Sequence, residues 1–204
     1  MSGRDFLFAR HHRSPTTTDQ RRILPTDAPV FRPATDEDRP IIRRLHRLTE
    51  VWDGDRDVDD DLGPKFAADD VKYVDRWSAE RDGAIITEIG GDVAGGAWLR
   101  HFTANDPGAG YVADEYPEVA IALEPGFTGR DLGRTLMAEV VDFARGRGAP
   151  GVSLVVDADN ERAYRSYFAA GFEFVGAGPD DVAAGADAPE APNAPERYVM
   201  LHRF

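Results

Sequence analysis

The chain has 204 residues, 42% of them hydrophobic, and a net charge of −13 from 37 acidic and 24 basic side chains. That length and composition suit one globular domain with a sizeable core. The acidic balance argues against nucleic acid as a partner, because phosphate contact needs clustered Lys and Arg. It favours a cationic substrate, or simple solubility. There are no cysteines, which excludes disulfides and thiolate metal sites. No apolar run approaches the ~18 residues of a membrane helix. The N-terminal stretch lacks the apolar core of a secretory signal, so a cytoplasmic protein is expected.

Residues 1–28 mix Arg, Thr, Pro and Asp without a period and are expected to form a flexible tail. The adjacent His11 and His12 fall in it, with no metal role expected. Residues 29–204 are expected to form a single domain. A short strand at 30–32 leads into a helix whose start carries Thr35, Asp36, Glu37 and Asp38. Ile41, Leu45, Leu48 and Trp52 recur at helical spacing and are expected to face the core. An acidic loop follows, with Asp53, Asp55, Asp57, Asp59, Asp60 and Asp61. Its spacing fails as a calcium loop, since Val58 and Pro64 stand where Gly and Glu are required. A second short helix is predicted over 70–81. The stretch AIITEIGGDVAGGAWLRHF reads as a β-hairpin turning at Gly90 and Gly91.

The richest stretch is the 48-residue run from Glu118, EVAIALEPGFTGRDLGRTLMAEVVDFARGRGAPGVSLVVDADNERAYR. It reads strand, glycine turn, helix, strand, helix. The strand is 118–123, the helix 130–147, and the next strand 152–157 around the apolar SLVV core. Gly129 and Gly133 stand at the head of the helix, where unpaired N–H groups and the helix dipole favour a phosphate or pyrophosphate. A helix at 160–170 starts on Asn160, a good cap. Strands at FEFVG and RYVMLHRF close the chain, separated by an Ala/Pro/Asp-rich loop. The order β, α, α, β, β, β, α, β, α, β, β implies an α+β fold. Its sheet is mixed and mostly antiparallel, of six or seven strands, with one parallel pair and helices on both faces.

Two nucleotide motifs are rejected. Gly146-Arg-Gly148-Ala-Pro-Gly151 matches G-x-G-x-x-G, but it follows a helix and opens a strand, the reverse of a dinucleotide site. No Gly-Lys-Ser/Thr occurs.

The residues ALEPGFTGRDLGRTLM and DADNERAYRSYFAAGFEFVG resemble the GCN5-related N-acetyltransferase (GNAT) family. The family turn, Arg/Gln-x-x-Gly-x-Gly/Ala, falls on Thr128, Gly129, Arg130, Asp131, Leu132 and Gly133. Asn160, Ala163, Tyr167, Gly171 and Phe172 match the second half of the pattern. The resemblance is densest over 118–176 and extends over roughly 30–204. Thr128 and Asp131 depart from it, standing where Arg or Gln and Gly are usual. Asp131 puts a like charge beside any pyrophosphate.

The resemblance implies a splayed pair of parallel strands with the pantetheine arm of acetyl-CoA in the gap. Ile121, Ala122 and Leu123 would contact that arm. A backbone N–H near Leu123 would face the thioester carbonyl. The pyrophosphate would take backbone N–H groups from Thr128, Gly129, Arg130, Asp131, Leu132, Gly133 and Arg134. Asn160 would contact the arm, and Tyr164 would line the same cleft or simply pack. A free alkyl ammonium, with a pKa of about 10.4, must lose a proton before it attacks. Glu118 is the candidate base, and Tyr167 the candidate acid for the departing thiolate. The implied activity is acetyl transfer from acetyl-CoA to the primary amine of a small molecule or peptide, by direct attack in a ternary complex. A non-catalytic acyl-CoA-binding module on the same fold stays open, motivated by Thr128 and Asp131. A plain scaffold would show no cleft between the strands at Leu123 and Val155. Homodimers are common in the family, but the sequence does not decide the oligomeric state.

Overall fold

The β-strands assemble into one seven-stranded sheet in a computed structural model that describes residues 28–129, 131–177 and 196–204. The predicted tail, including His11 and His12, the loop at 178–195 and Arg130 lie outside the described residues. In chain order the strands are β1 (Val30–Pro33), β2 (Ala84–Ile89), β3 (Asp92–Arg100), β4 (Glu118–Leu123), β5 (Gly151–Asp157), β6 (Glu173–Ala177) and β7 (Arg197–Arg203). The helices are α1 (Arg39–Glu50), α2 (Gly63–Asp70), α3 (Leu132–Gly146) and α4 (Glu161–Ala169). The strand order is β1-β2-β3-β4-β5-β7-β6, and only β4 and β5 run parallel. This is the α+β mixed sheet expected from the order of elements. Among the described residues no helix is long and apolar enough to cross a membrane.

Alternation along the central strands splits the core into two layers. Val119 on β4 and Val152, Leu154 and Val156 on β5 pack with Leu136, Met137, Val140 and Val141 of α3. The partly buried Ala163, Tyr164 and Tyr167 of α4 join that layer. On the other face, Ile42 and Leu45 of α1 pack with Tyr73, Val74, Trp77, Ile86 and Trp98. Each large side chain fully buried in these layers contributes on the order of 1.5–3 kcal/mol.

Two local expectations need correction. The second helix is not at 70–81. It begins at Gly63, with Pro64 in the first turn where a missing N–H costs nothing, and ends at Asp70. A single wider turn, in which the Arg76 N–H reaches the Val71 carbonyl, then carries the chain to Trp77. The buried stripe of α1 is Ile42, Leu45 and His46, with Ile41 and Leu48 only partly buried. Trp52 lies beyond the helix end at Glu50, so its ring leaves the 3.6-residue phase and is 40% exposed.

Candidate active site

β4 is paired along one edge and almost free along the other. Six of its residues are in register with β3, whereas only Glu118 is in register with β5, opposite Ser153. Beyond that pair the two strands part. The gap belongs to a cleft of about 900 Å³ lined by Leu123 and Val155 among others. The Ser153 N–H donates to the Pro117 carbonyl at 3.0 Å, and the Glu124 N–H to the Ala94 carbonyl at 3.0 Å. In a strand these backbone directions alternate. Residues 117, 119, 121 and 123 therefore turn their backbone groups toward β5. Where β5 has moved away, the N–H and C=O of Ile121 and Leu123 face the cleft without a strand partner. Ala122 lines the same cleft but spends its backbone on β3.

The turn after β4 is built by Pro125–Phe127, with Phe127 buried as its anchor. Thr128 is extended and its hydroxyl donates to the Pro125 carbonyl at 3.3 Å. Asp131 precedes α3 with φ +57°, the left-handed region. That backbone conformation explains why glycine is usual at this position. Asp and Asn are the side chains that enter it at least cost, against about 1–2 kcal/mol for most L-residues. The Asp131 side chain is 81% exposed and accepts from Arg134 at 3.4 Å. Its charge is turned outward and paired with a cation.

The first intrahelical bond of α3 runs from the Thr135 N–H to the Asp131 carbonyl at 3.1 Å, and no side chain caps the helix. The amides of Leu132, Gly133 and Arg134 are therefore left over at the positive end of the dipole. All three residues line the cleft, as do Thr128, Gly129 and Asp131.

Across the gap, Asn160 caps α4, its side-chain oxygen accepting from the Ala163 N–H at 3.1 Å. The cap occupies the oxygen and leaves the Asn160 amide N–H₂ beside the cleft. Tyr167 also lines the cleft, and burial pushes its pKa up to about 12. Tyr164 packs instead against Phe168 and Tyr198, with ring centroids at 5.4 and 6.1 Å.

Glu118 sits where β4 and β5 part. It is 3% exposed and lines the cleft. Its Oε1 accepts from the Tyr73 hydroxyl at 2.8 Å, while its Oε2 has no partner among the described residues. The Tyr73 oxygen in turn accepts from the Ala109 N–H at 2.8 Å. That fixes the phenolic proton on the carboxylate. Burial raises the Glu118 pKa to about 7, opposed by the Tyr73 hydrogen bond and the nearby Gly110 amide. The loop over Glu118 depends on glycine. A Cβ on Gly108 would stand 2.1 Å from Oε2, and one on Gly110 2.7 Å from the backbone of Leu154.

Part of the cleft wall is acidic and aromatic. Glu50, Trp52, Asp69 and Asp157 line it, with Arg197. Trp52 donates its indole N–H to Asp157 at 2.8 Å, and Arg197 donates to the other oxygen of Asp157 at 3.1 Å. His46 is buried between Phe66 and Tyr73, with Nδ1 3.3 Å from Asp70. Burial lowers its pKa to about 4, so it is neutral and structural.

Thus β4, the turn and the two flanking helices bring Glu118, Ile121, Leu123, Thr128, Gly129, Asp131, Leu132, Gly133, Arg134, Asn160 and Tyr167 around one cavity. Sequence reasoning missed Tyr73, Glu50, Asp69 and Asp157. Tyr73 is 45 residues from its carboxylate partner, and no spacing rule connects them.

The sequence model of the acetyltransferase (GNAT) family matches residues 45–172, a span that includes Glu118, the turn before α3, Asn160 and Tyr167, and the chain belongs to that family. N-alpha-acetyltransferase RimI of Mycobacterium tuberculosis is 44% identical over 62 residues, 30% of this chain and 37% of that protein. An uncharacterized protein of Mycobacterium leprae is 43% identical over 75 residues, 36% of this chain. The match spans only 20% and 37% of these two relatives' own lengths. YncA of Salmonella typhimurium, solved with its cofactor acetyl-CoA, shares the fold at a TM-score of 0.57 and 17% identity. That likeness covers 86% of this chain and 94% of YncA.

Proposed function

We propose that residues 29–204 form one acetyltransferase domain that moves an acetyl group from acetyl-CoA to a primary amine by direct attack in a ternary complex. The observation that carries this reading is Glu118, a buried carboxylate with one free oxygen, poised near neutral pH at the point where the cleft opens. The cleft fits the pantetheine arm and pyrophosphate of the co-substrate. The free backbone groups of Ile121 and Leu123 suit the arm's amides, and the unpaired amides of Leu132, Gly133 and Arg134 suit a pyrophosphate. Asp131 faces outward against Arg134, which removes the like-charge argument for a chain that has lost its ligand. A cytoplasmic location goes with this reading and rests on the cysteine-free composition.

Acetyl-CoA supplies an activated acyl group as a thioester. Glu118, ionised above pH ~7, takes the proton of the acceptor ammonium, directly or through one water. The acceptor nitrogen then attacks the carbonyl carbon. The C–N bond forms and the C–S bond breaks. The Leu123 N–H donates to the carbonyl oxygen as that oxygen gains charge. Tyr167 keeps its proton at neutral pH and is a weaker acid than a thiol, so it serves the leaving sulfur as a hydrogen-bond donor. The nitrogen keeps two protons when it attacks and gives one up to the departing thiolate as the amide forms, and the proton collected by Glu118 returns to solvent.

Calorimetry with acetyl-CoA, paired with a CoA-release assay over a panel of amines, tests the proposal. Binding with amine-dependent release supports it. Binding without turnover on any amine favours the non-catalytic module. No CoA binding contradicts both.

A further inference from the structure

The connection from β3 to β4, residues 101–117, forms no strand or helix of its own. Its stretch 106–110 nevertheless shuts in the Glu118 carboxyl. A Cβ on Gly108 would collide with Glu118 and with the Phe102 ring, and one on Gly110 would stand 3.1 Å from the Glu118 Cδ. What holds this stretch down comes from the wider turn after α2. Lys72 donates its ammonium to the Pro107 carbonyl at 2.7 Å and pairs with Asp106 at 3.1 Å. Arg76 donates to the other oxygen of Asp106 at 2.9 Å. The Ala109 N–H donates to the Tyr73 oxygen at 2.8 Å.

These grips differ in strength. Arg76 and Asp106 are each more than half exposed, so water screens their pair. The Lys72 side chain is only 28% exposed, and its bond to Pro107 takes a backbone carbonyl directly. Its ammonium lies 5.9 Å from the centroid of Phe102, the ring that Gly108 closes against. The Lys72 backbone is anchored from β3, where Arg100 donates two N–H groups to the Lys72 carbonyl at 3.0 and 2.8 Å. Lys72 is thus a fixed post with a charged tip on the loop.

We propose that Lys72 is a positioning residue for Glu118, its ammonium pinning the 106–110 loop down and keeping water from that carboxyl. The importance of this for turnover rests on the reading of Glu118 as the base, but the closure itself does not. The titratable and charged groups around Glu118 are Tyr73 and Lys72 from the turn, Arg100 from β3 and the neutral His46 of α1. Burial is the largest influence on the Glu118 pKa. It outweighs Tyr73, the Gly110 amide, Lys72 and Arg100, which all act downward, because the result stands at about 7 against an ordinary 4.5. Lifting the loop removes the burial together with the Gly110 amide, so the value returns downward. Loss of the Lys72 charge alone acts in the opposite direction. The sign of the shift therefore separates a latch from a nearby charge.

Carbon-13 NMR titration of the side-chain carboxyls tests this on the whole protein, with the Glu118 signal assigned by its absence from Glu118→Gln. Lys72→Met is expected to lower the Glu118 midpoint by about one unit or more. It should also speed amide hydrogen exchange across 106–110. Lys72→Arg, with donors for both Pro107 and Asp106, is expected to keep the wild-type midpoint. Lys72→Gln is the milder truncation and should fall as Lys72→Met does, which keeps the test open if the Met variant does not fold. An unchanged or raised midpoint in the truncated variants overturns the proposal, as does an Arg variant that falls as far as they do. The pH profile of CoA release on the same proteins reads the base separately. A rate midpoint that stays in place while the NMR midpoint falls contradicts Glu118 as the base and leaves the latch standing.

Discussion

Asp82 and Glu118 are both carboxylates removed from water, and the protein treats them in opposite ways. Asp82 is 0% exposed. It accepts from Arg81 at 2.6 Å, Arg100 at 2.6 Å, the Ser78 amide at 3.0 Å and the His101 amide at 3.1 Å. Burial alone would raise its pKa, but the bonds from His101 and Arg81 hold it well below the ordinary carboxylate range. Glu118 has a phenol on one oxygen, a nearby Gly110 amide and no cation bonded to it among the described residues, and burial pushes it up to about 7. One acid is fully satisfied and ties β3 to the turn before β2. The other is left incomplete beside a cleft. Burial is shared by both, so it is the missing cation that separates a carboxyl raised toward neutrality from a clamp.

The sharpest way to break this contrast is Glu118→Gln. Turnover is expected to fall about 10²–10⁴-fold, the range of general base catalysis. Stability should move the other way. The folded pKa of about 7 lies above the ordinary 4.5. The native state therefore binds the proton more tightly, and its stability falls as pH rises from ~4.5 to ~7. Over that window the cost is about 3 kcal/mol, flat on either side. The Gln variant lacks it, so urea unfolding should show the variant gaining up to that amount relative to wild type at pH 8 and nothing at pH 4.

Asp82→Asn comes next. It leaves Arg100 buried without its counter-ion and should cost about 3–5 kcal/mol. The pH midpoint of whatever activity survives should not move. Tyr167→Phe should lower kcat by about 10²-fold with CoA affinity unchanged, as read by turnover and calorimetry. Tyr73→Phe is the subtlest. Its hydroxyl lowers the Glu118 pKa, so its loss should shift the pH–rate midpoint upward by about one unit. A role in packing alone would leave the midpoint in place.

Much of the scaffold was legible because it rests on local signals. The Gly90-Gly91 turn, the SLVV strand and the Asn160 cap each announce themselves within a few residues, and the order of elements then dictates a mixed sheet. The strand, turn and helix start beside the cleft were legible for the same reason, since they are contiguous. The partners of Glu118 were not. Tyr73 comes from one part of the chain and Gly108, Ala109 and Gly110 from another, and only the fold brings them to Glu118. Asp131 was legible as a departure but not in its consequence. Its left-handed backbone and outward carboxylate follow from φ, which the residue type alone does not fix. Trp52 failed as a core residue because a helical period says nothing about where the helix stops.

The pH profile of CoA release, measured on wild type and Glu118→Gln with the same amine, tests the central claim most directly. The wild-type rate should climb through a midpoint near pH 7, and the variant should lose both the rate and the midpoint. A variant that keeps the wild-type rate and profile would show that this carboxylate, free oxygen and all, is not the base.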